Sequence, residues 1–140
     1  MTELKDLYII IAEDDLDDGE IIMASFTKNA CFAKVDLVKN GIELLDLLRK
    51  AGLTKPDVIL TDINMPIMNG IEALAQISDD PVLCGIPAFV YSTSINPVYE
   101  AKCMSLGIKG FLVKPFNLTE FDDIPNKIAF ILSQNLEDKI

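Results

Sequence analysis

Four places in this 140-residue sequence hold side chains whose types could act together on one phosphoryl group. They are the acidic run Glu13-Asp14-Asp15, the aspartate Asp62, the hydroxyl run Ser92-Thr93-Ser94, and Lys114 ahead of Pro115. Carboxylates held close repel one another and do not all ionise cheaply. A divalent cation relieves that repulsion. Mg2+ takes oxygen ligands and keeps several waters, so one or two carboxylates beside a phosphate suffice. An aspartate can also be the nucleophile and carry the group as an aspartyl phosphate. Phosphoryl transfer mainly needs positioning and charge neutralisation. In that chemistry the metal covers one phosphoryl oxygen, Lys114 a second and the Ser92 hydroxyl a third, with backbone N–H groups as further donors. Each piece alone has an ordinary use. Acidic residues at 13–18 suit the first turn of a helix. Asp62 could be a cap, serines serve turns, and a lone lysine is usually a solvated charge. The set gains meaning only if the fold gathers it.

Composition removes competing chemistries. There is no histidine, so a Ser-His-Asp triad, a Cys-His pair and a His-ligated zinc are excluded in cis. Twelve Lys+Arg against 22 Asp+Glu give a net charge of −10, which argues against nucleic acid and suits a hard cation or a basic partner. Cys31, Cys84 and Cys103 are far apart and form no C-x-x-C, as expected of thiols in a reducing cytosol. The N-terminus lacks an apolar signal region and no apolar run approaches about 18 residues. No membrane span and a cytoplasmic location are therefore expected. An EF-hand reading of Asp14 to Gly19 fails, because Leu16 takes the third ligand position and Ser25 the distal Glu position.

The elements that must position these residues show in the hydrophobic pattern. Leu7–Ala12, Val58–Leu60, Ala88–Tyr91 and Phe111–Val113 are short continuous apolar runs, with Lys34–Val38 a weaker one. Such runs suit strands buried on both faces. Helical patterns lie between them at 16–29, 40–50, 70–78, 97–106 and 117–134. Asn40 and Asn117 read as N-caps, each with Glu three residues on, and Pro97 suits a first helical turn. Pro125 predicts a kink or restart near Asp123. Residues 136–140 are expected to fray. Strict β-α alternation predicts one α/β domain: a doubly wound, flavodoxin-like parallel sheet of five strands, order 2-1-3-4-5, with five helices. Ligands of such sheets bind beyond the carboxyl ends of the strands. Glu13-Asp14-Asp15, Asp62, Ser92 and Lys114 each follow a different strand on that edge.

These residues resemble the receiver domain of two-component response regulators. The resemblance covers about residues 5–134 and rests on Glu13-Asp14-Asp15, on Asp62-Ile-Asn64-Met65-Pro66-Ile-Met-Asn69-Gly70, on Ser92, and on Lys114-Pro115-Phe116. The spacing also agrees, with 48 residues from Asp14 to Asp62, 30 to Ser92 and 22 to Lys114. It implies a single receiver spanning 1–140 without an output domain. Asp62 would be the phosphoacceptor. Asp14 would bind Mg2+ (or Mn2+) directly, Glu13 through water, and Asp62 and the Asn64 backbone carbonyl would complete the set. Ser92 would be the switch hydroxyl, Phe111 the aromatic switch, and Lys114 the phosphate-pairing lysine, aimed by a cis Lys114–Pro115 peptide. The donor would be a sensor histidine kinase or a His-phosphotransfer protein, so the missing histidine belongs to the partner. A downstream protein would read the face of the fourth helix, fifth strand and fifth helix. The chain would be a signalling phosphoacceptor, not an enzyme with turnover.

Three departures stand out. Glu13 replaces a common Asp, Asn69 stands where Asp is frequent, and Pro125 is unexpected. Asn64 and Ser94, two residues past Asp62 and Ser92, occupy positions that tune phosphoryl lifetime. Two other readings compete: a Mg2+-dependent phosphohydrolase with Asp62 as nucleophile, and a scaffold that never carries phosphate. The first lacks room for a lid and has Asn64 where a second acid is needed. The second has no use for an intact set of acids, hydroxyl and lysine.

Overall fold

The run Leu7–Ala12 carries no charged side chain, its one polar group is the Tyr8 hydroxyl, and all six residues are buried. A strand with no solvent face belongs inside a sheet covered on both sides. In the computed structural model, which describes residues 4–50, 52, 54–93 and 96–137, it is exactly such a strand, β1. The others are β2 (Phe32–Val38), β3 (Val58–Asp62), β4 (Ala88–Ser92) and β5 (Gly110–Val113). All pairings are parallel, in the order β2-β1-β3-β4-β5. The doubly wound fold expected from the alternation is the one observed. The helices are α1 (Leu16–Thr27), α2 (Gly41–Leu48), α3 (Gly70–Asp79), α4 (Pro97–Ser105) and α5 (Leu118–Glu137).

Side chains alternate across each strand, so the sheet feeds two cores. Ile9, Ile11, Leu60, Phe89 and Tyr91 face α1 and α5, meeting Ile22, Phe26, Phe121 and Ile128. Ile10, Ala12, Ile59 and Val90 face the other way, meeting Leu44, Leu48, Leu74, Ile77 and Cys103 from α2, α3 and α4. Asparagine begins four of the five helices. Asn40, Asn69, Asn96 and Asn117 each accept a bond from a first-turn N–H, and Asp15 does the same for α1. Asn69 also completes a capping box with Glu72, a role Asn and Asp fill equally well.

Two sequence expectations change here. α5 runs unbroken across Pro125, so no restart occurs. Proline costs the helix one N–H donor, but the buried face of Phe121, Ile124, Ile128 and Leu132 holds it on the sheet. The helix extends to Glu137, and the rest of the expected tail, residues 138–140, lies outside the described ones. β2 is longer than its weak pattern, starting at Phe32. Among the described residues, no helix is long and apolar enough to cross a membrane.

Candidate functional site

Asp62 ends β3 and Ser92 ends β4, with Asp62 in register with Tyr91. Lys114 follows β5, and its backbone N–H donates to the Ser92 carbonyl at 2.6 Å. Glu13 follows β1, its N–H donating to the Val38 carbonyl at 2.9 Å. Sheet hydrogen bonding therefore places the four strand ends side by side. Gly70 closes the arrangement from behind. A Cβ there would lie 2.1 Å from the Asp62 carbonyl oxygen, so only glycine lets α3 press against the end of β3.

The side chains converge on one ammonium. Lys114 Nζ lies 2.7 Å from Glu13 Oε1, 3.0 Å from Asp62 Oδ2 and 3.2 Å from Asp18 Oδ2. Asp62 Oδ1 accepts the Ile63 N–H at 2.7 Å. Glu13 Oε1 also accepts the Tyr91 hydroxyl at 2.6 Å, and Oε2 the Asp15 N–H at 3.3 Å. Glu13, Asp62, Ser92 and Lys114 are all buried, while Asp14 is exposed. Buried charges persist only when paired and hydrogen-bonded, and these are.

The electrostatics distinguish the acids. Burial pushes Asp62 up to about 6, assisted by the Glu13 charge and opposed by Lys114. Burial also works against the Glu13 carboxylate, but bonds from Lys114 and Tyr91 outweigh it and hold Glu13 below the usual range. Asp14 is raised, by partial burial and by Glu13. Lys114 is raised despite its burial, because Glu13 and Asp62 favour the ammonium.

One oxygen each from Glu13, Asp14 and Asp62 lie within 4.8 Å of one another. An all-carboxylate set with no nitrogen or sulfur donor suits a hard cation such as Mg2+ or Mn2+. The donor set thus fits the metal that the sequence implies.

The remaining expected residues are placed around this centre. Asn64 lies in the exposed connection after β3, and Phe111 is half-buried against the α4 side of the core. Ser94 lies outside the described residues. The Lys114–Pro115 peptide is trans, since no cis bond occurs among the described residues, which corrects the sequence expectation. The trans form is the ordinary preference of X–Pro bonds, by about 0.5–1 kcal/mol, and Lys114 reaches all three carboxylates with it.

Two residues of the cluster escaped the sequence reading. Asp18 is one turn into α1, where its helical phase follows from the Asp15 cap. Tyr91 was read only as part of an apolar strand. A tyrosine in a strand buried on both faces must find a partner for its hydroxyl, and that requirement was the available signal.

Comparison with known proteins gives a consistent result. The response regulator receiver domain matches residues 9–125. A protein-glutamate methylesterase/protein-glutamine glutaminase of Clostridium acetobutylicum is 31% identical over 138 residues, covering 94% of this chain and 39% of that protein. The two-component response regulator ORR1 of Oryza sativa subsp. japonica is 28% identical, covering 84% of this chain and 53% of that one. The chain therefore spans 39% of the length of the first relative and 53% of the second. Among solved structures, the phosphorylated cyanobacterial phytochrome response regulator RcpA is 32% identical with a TM-score of 0.83, covering 91% of this chain and 95% of that one. The Mn2+-bound form of response regulator Rcp1 is 25% identical with a TM-score of 0.78, covering 87% and 91%.

Proposed function

This chain belongs to the response regulator receiver domain family, and from that premise we propose that it takes a phosphoryl group onto Asp62 from a partner's phosphohistidine. The observation that carries the reading is the seat of Lys114 Nζ, within 3.2 Å of Glu13, Asp18 and Asp62 at the sheet's carboxyl edge. A scaffold gains nothing from burying one ammonium among three acids, since apolar residues of similar volume are often as stable or more so.

The residues divide the work as follows. An Asp62 carboxylate oxygen forms the new O–P bond while the P–N bond breaks, its electron pair staying on the partner's imidazole. With Asp62 pushed up to about 6 in the metal-free protein, the carboxylate is mostly ionised at neutral pH and loses nucleophilicity below that value. Lys114 neutralises the cluster beforehand and turns one donor to a phosphoryl oxygen afterwards. Ser92, ending the adjacent strand, supplies a hydroxyl to another. Asp14, Asp62 and the Asn64 carbonyl would hold Mg2+ or Mn2+, with Glu13 acting through water, and the cation would supply the positive charge that the incoming group and the acids require. Support comes from the phosphorylated state of RcpA and the Mn2+-bound state of Rcp1.

The added charge, about −1.5 to −2, would draw Ser92 inward and let Phe111 follow on packing alone. The surface that changes is α4-β5-α5, where Val98, Met104 and Val113 are exposed and open to a downstream protein. The donor, a sensor histidine kinase or His-phosphotransfer protein, would approach the strand-end loops, near which Leu16, Ile67, Phe116 and Leu118 are exposed. Amide NMR with beryllofluoride and Mg2+ tests the reading. Shifts at Ser92, Phe111 and α4 that vanish in Asp62→Asn are expected. An unchanged wild-type spectrum overturns it.

A further inference from the structure

Tyr91 is fully buried, with its ring in the α1/α5 core, yet its hydroxyl emerges inside the functional cluster. The reaction described above does not use it. Its contacts are specific. The hydroxyl donates to Glu13 Oε1 at 2.6 Å, and the ring lies under Lys114 Nζ, 4.9 Å from ammonium to centroid. Lys114 Nζ itself donates to the same Oε1 at 2.7 Å. One tyrosine therefore touches both members of the Glu13–Lys114 pair, one through its hydroxyl and the other through its ring face.

This arrangement gives the glutamate at position 13 a reason. A glutamate has one more rotatable bond than an aspartate, so its carboxylate is harder to hold. Here two donors fix Oε1, while Oε2 takes only the longer 3.3 Å bond from the Asp15 N–H. The chain thus anchors one oxygen and leaves the other the less committed. Groups that orient metal ligands from behind typically change metal affinity by about 10–100-fold when removed.

We infer that Tyr91 is a positioning residue: it locks Glu13 and seats Lys114, so that the acidic cluster is already set for its cation. The inference rests on the proposed role of Glu13 toward the metal. A purely structural tyrosine would fill the core through its ring and be indifferent to loss of the hydroxyl's partner.

Tyr91→Phe keeps the ring and removes only the hydroxyl. Mg2+ titration by calorimetry at neutral pH would compare wild type, Tyr91→Phe, Glu13→Gln and the double variant, each checked for a cooperative thermal melt. Tyr91→Phe is expected to weaken Mg2+ binding by about tenfold or more. In the Glu13→Gln background the same change is expected to shift affinity less than about twofold, because the tyrosine acts through the glutamate. Wild-type affinity in Tyr91→Phe overturns the inference. So does an equal loss with and without Glu13, which would mark a structural role. Absence of Mg2+ binding by the wild type would instead overturn the proposed function on which the inference rests.

Discussion

The sheet carries a tyrosine, a lysine and a carboxylate in the same arrangement at two places. Near the start of β1, the Tyr8 hydroxyl donates to Asp36 at 2.5 Å and Lys34 Nζ stands 4.5 Å over the Tyr8 ring. At the carboxyl edge, the Tyr91 hydroxyl donates to Glu13 at 2.6 Å and Lys114 Nζ stands 4.9 Å over the Tyr91 ring. The difference is water. Lys34 and Asp36 sit on the edge strand β2 with side chains 54% and 37% exposed, their charges 3.9 Å apart. The Lys114 and Glu13 side chains are 7% and 0% exposed and their charges lie 2.7 Å apart. In the first trio solvent screens the charges, so the contacts decorate the surface. In the second the charges depend on one another, because Glu13, Asp62 and Lys114 are buried and the neutral donors around them carry no compensating charge. A tyrosine, a lysine and a carboxylate thus form a half-exposed ion pair in one place and a buried charged centre in the other.

Removing the lysine should separate the two places most. Lys114→Met leaves Glu13 and Asp62 buried without their cation, a loss of about 3–5 kcal/mol in Mg2+-free denaturant melts at pH 7. Lys34→Met should cost less than about 1 kcal/mol. Equal losses would break the comparison. Added Mg2+ should restore part of the Lys114→Met loss, since binding to the folded state alone raises stability.

Removing an acid should act in opposite senses. The folded protein holds Asp62 at about 6, above its ordinary value of 3.8. Between those values the folded state takes up a proton that the unfolded state does not, so ionised Asp62 disfavours folding above both. Asp62→Asn should therefore stabilise the Mg2+-free protein by roughly 2–3 kcal/mol at pH 7. The gain should shrink as pH falls through about 6 and vanish near 4. Asp36→Asn should change stability by no more than about 1 kcal/mol, and in the losing direction. A thermal-melt series from pH 4 to pH 8 (a range of about four units around the Asp62 value) checks both signs.

Salt gives the smallest and cleanest contrast. At about 1 M ionic strength the screening length falls to about 3 Å, which should erase the small cost of Lys34→Met. Most of the cost of Lys114→Met should persist, because the Glu13 and Asp62 side chains are only 0% and 9% exposed. A Lys114→Met cost that fell with salt as fast as that of Lys34→Met would mean the site is wet.

The legibility of the sequence follows the same division. β1 was legible because both its faces are buried and every residue reports it. β2 was only partly so, because Lys34 and Asp36 face solvent on an edge strand and blur the pattern. Glu13, Asp14, Asp62, Ser92 and Lys114 could be gathered because the fold order assigns each to a strand end on one edge. Tyr91 and Asp18 were hidden for a different reason. Their contacts with Glu13 and Lys114 cross 78 and 96 residues of chain, and no local pattern encodes which side chain reaches across. The restart suggested by Pro125 does not occur, because local backbone rules weigh a missing N–H but not the packing of Phe121, Ile124 and Ile128 that keeps α5 continuous.

Intact mass spectrometry after treatment with acetyl phosphate and Mg2+ tests the role of Asp62 most directly. A single phosphoryl adduct on the wild type is expected, absent from Asp62→Asn and lost on removal of Mg2+. No adduct on the wild type, or an equal adduct on Asp62→Asn, would contradict the assignment of Asp62 as the phosphoacceptor.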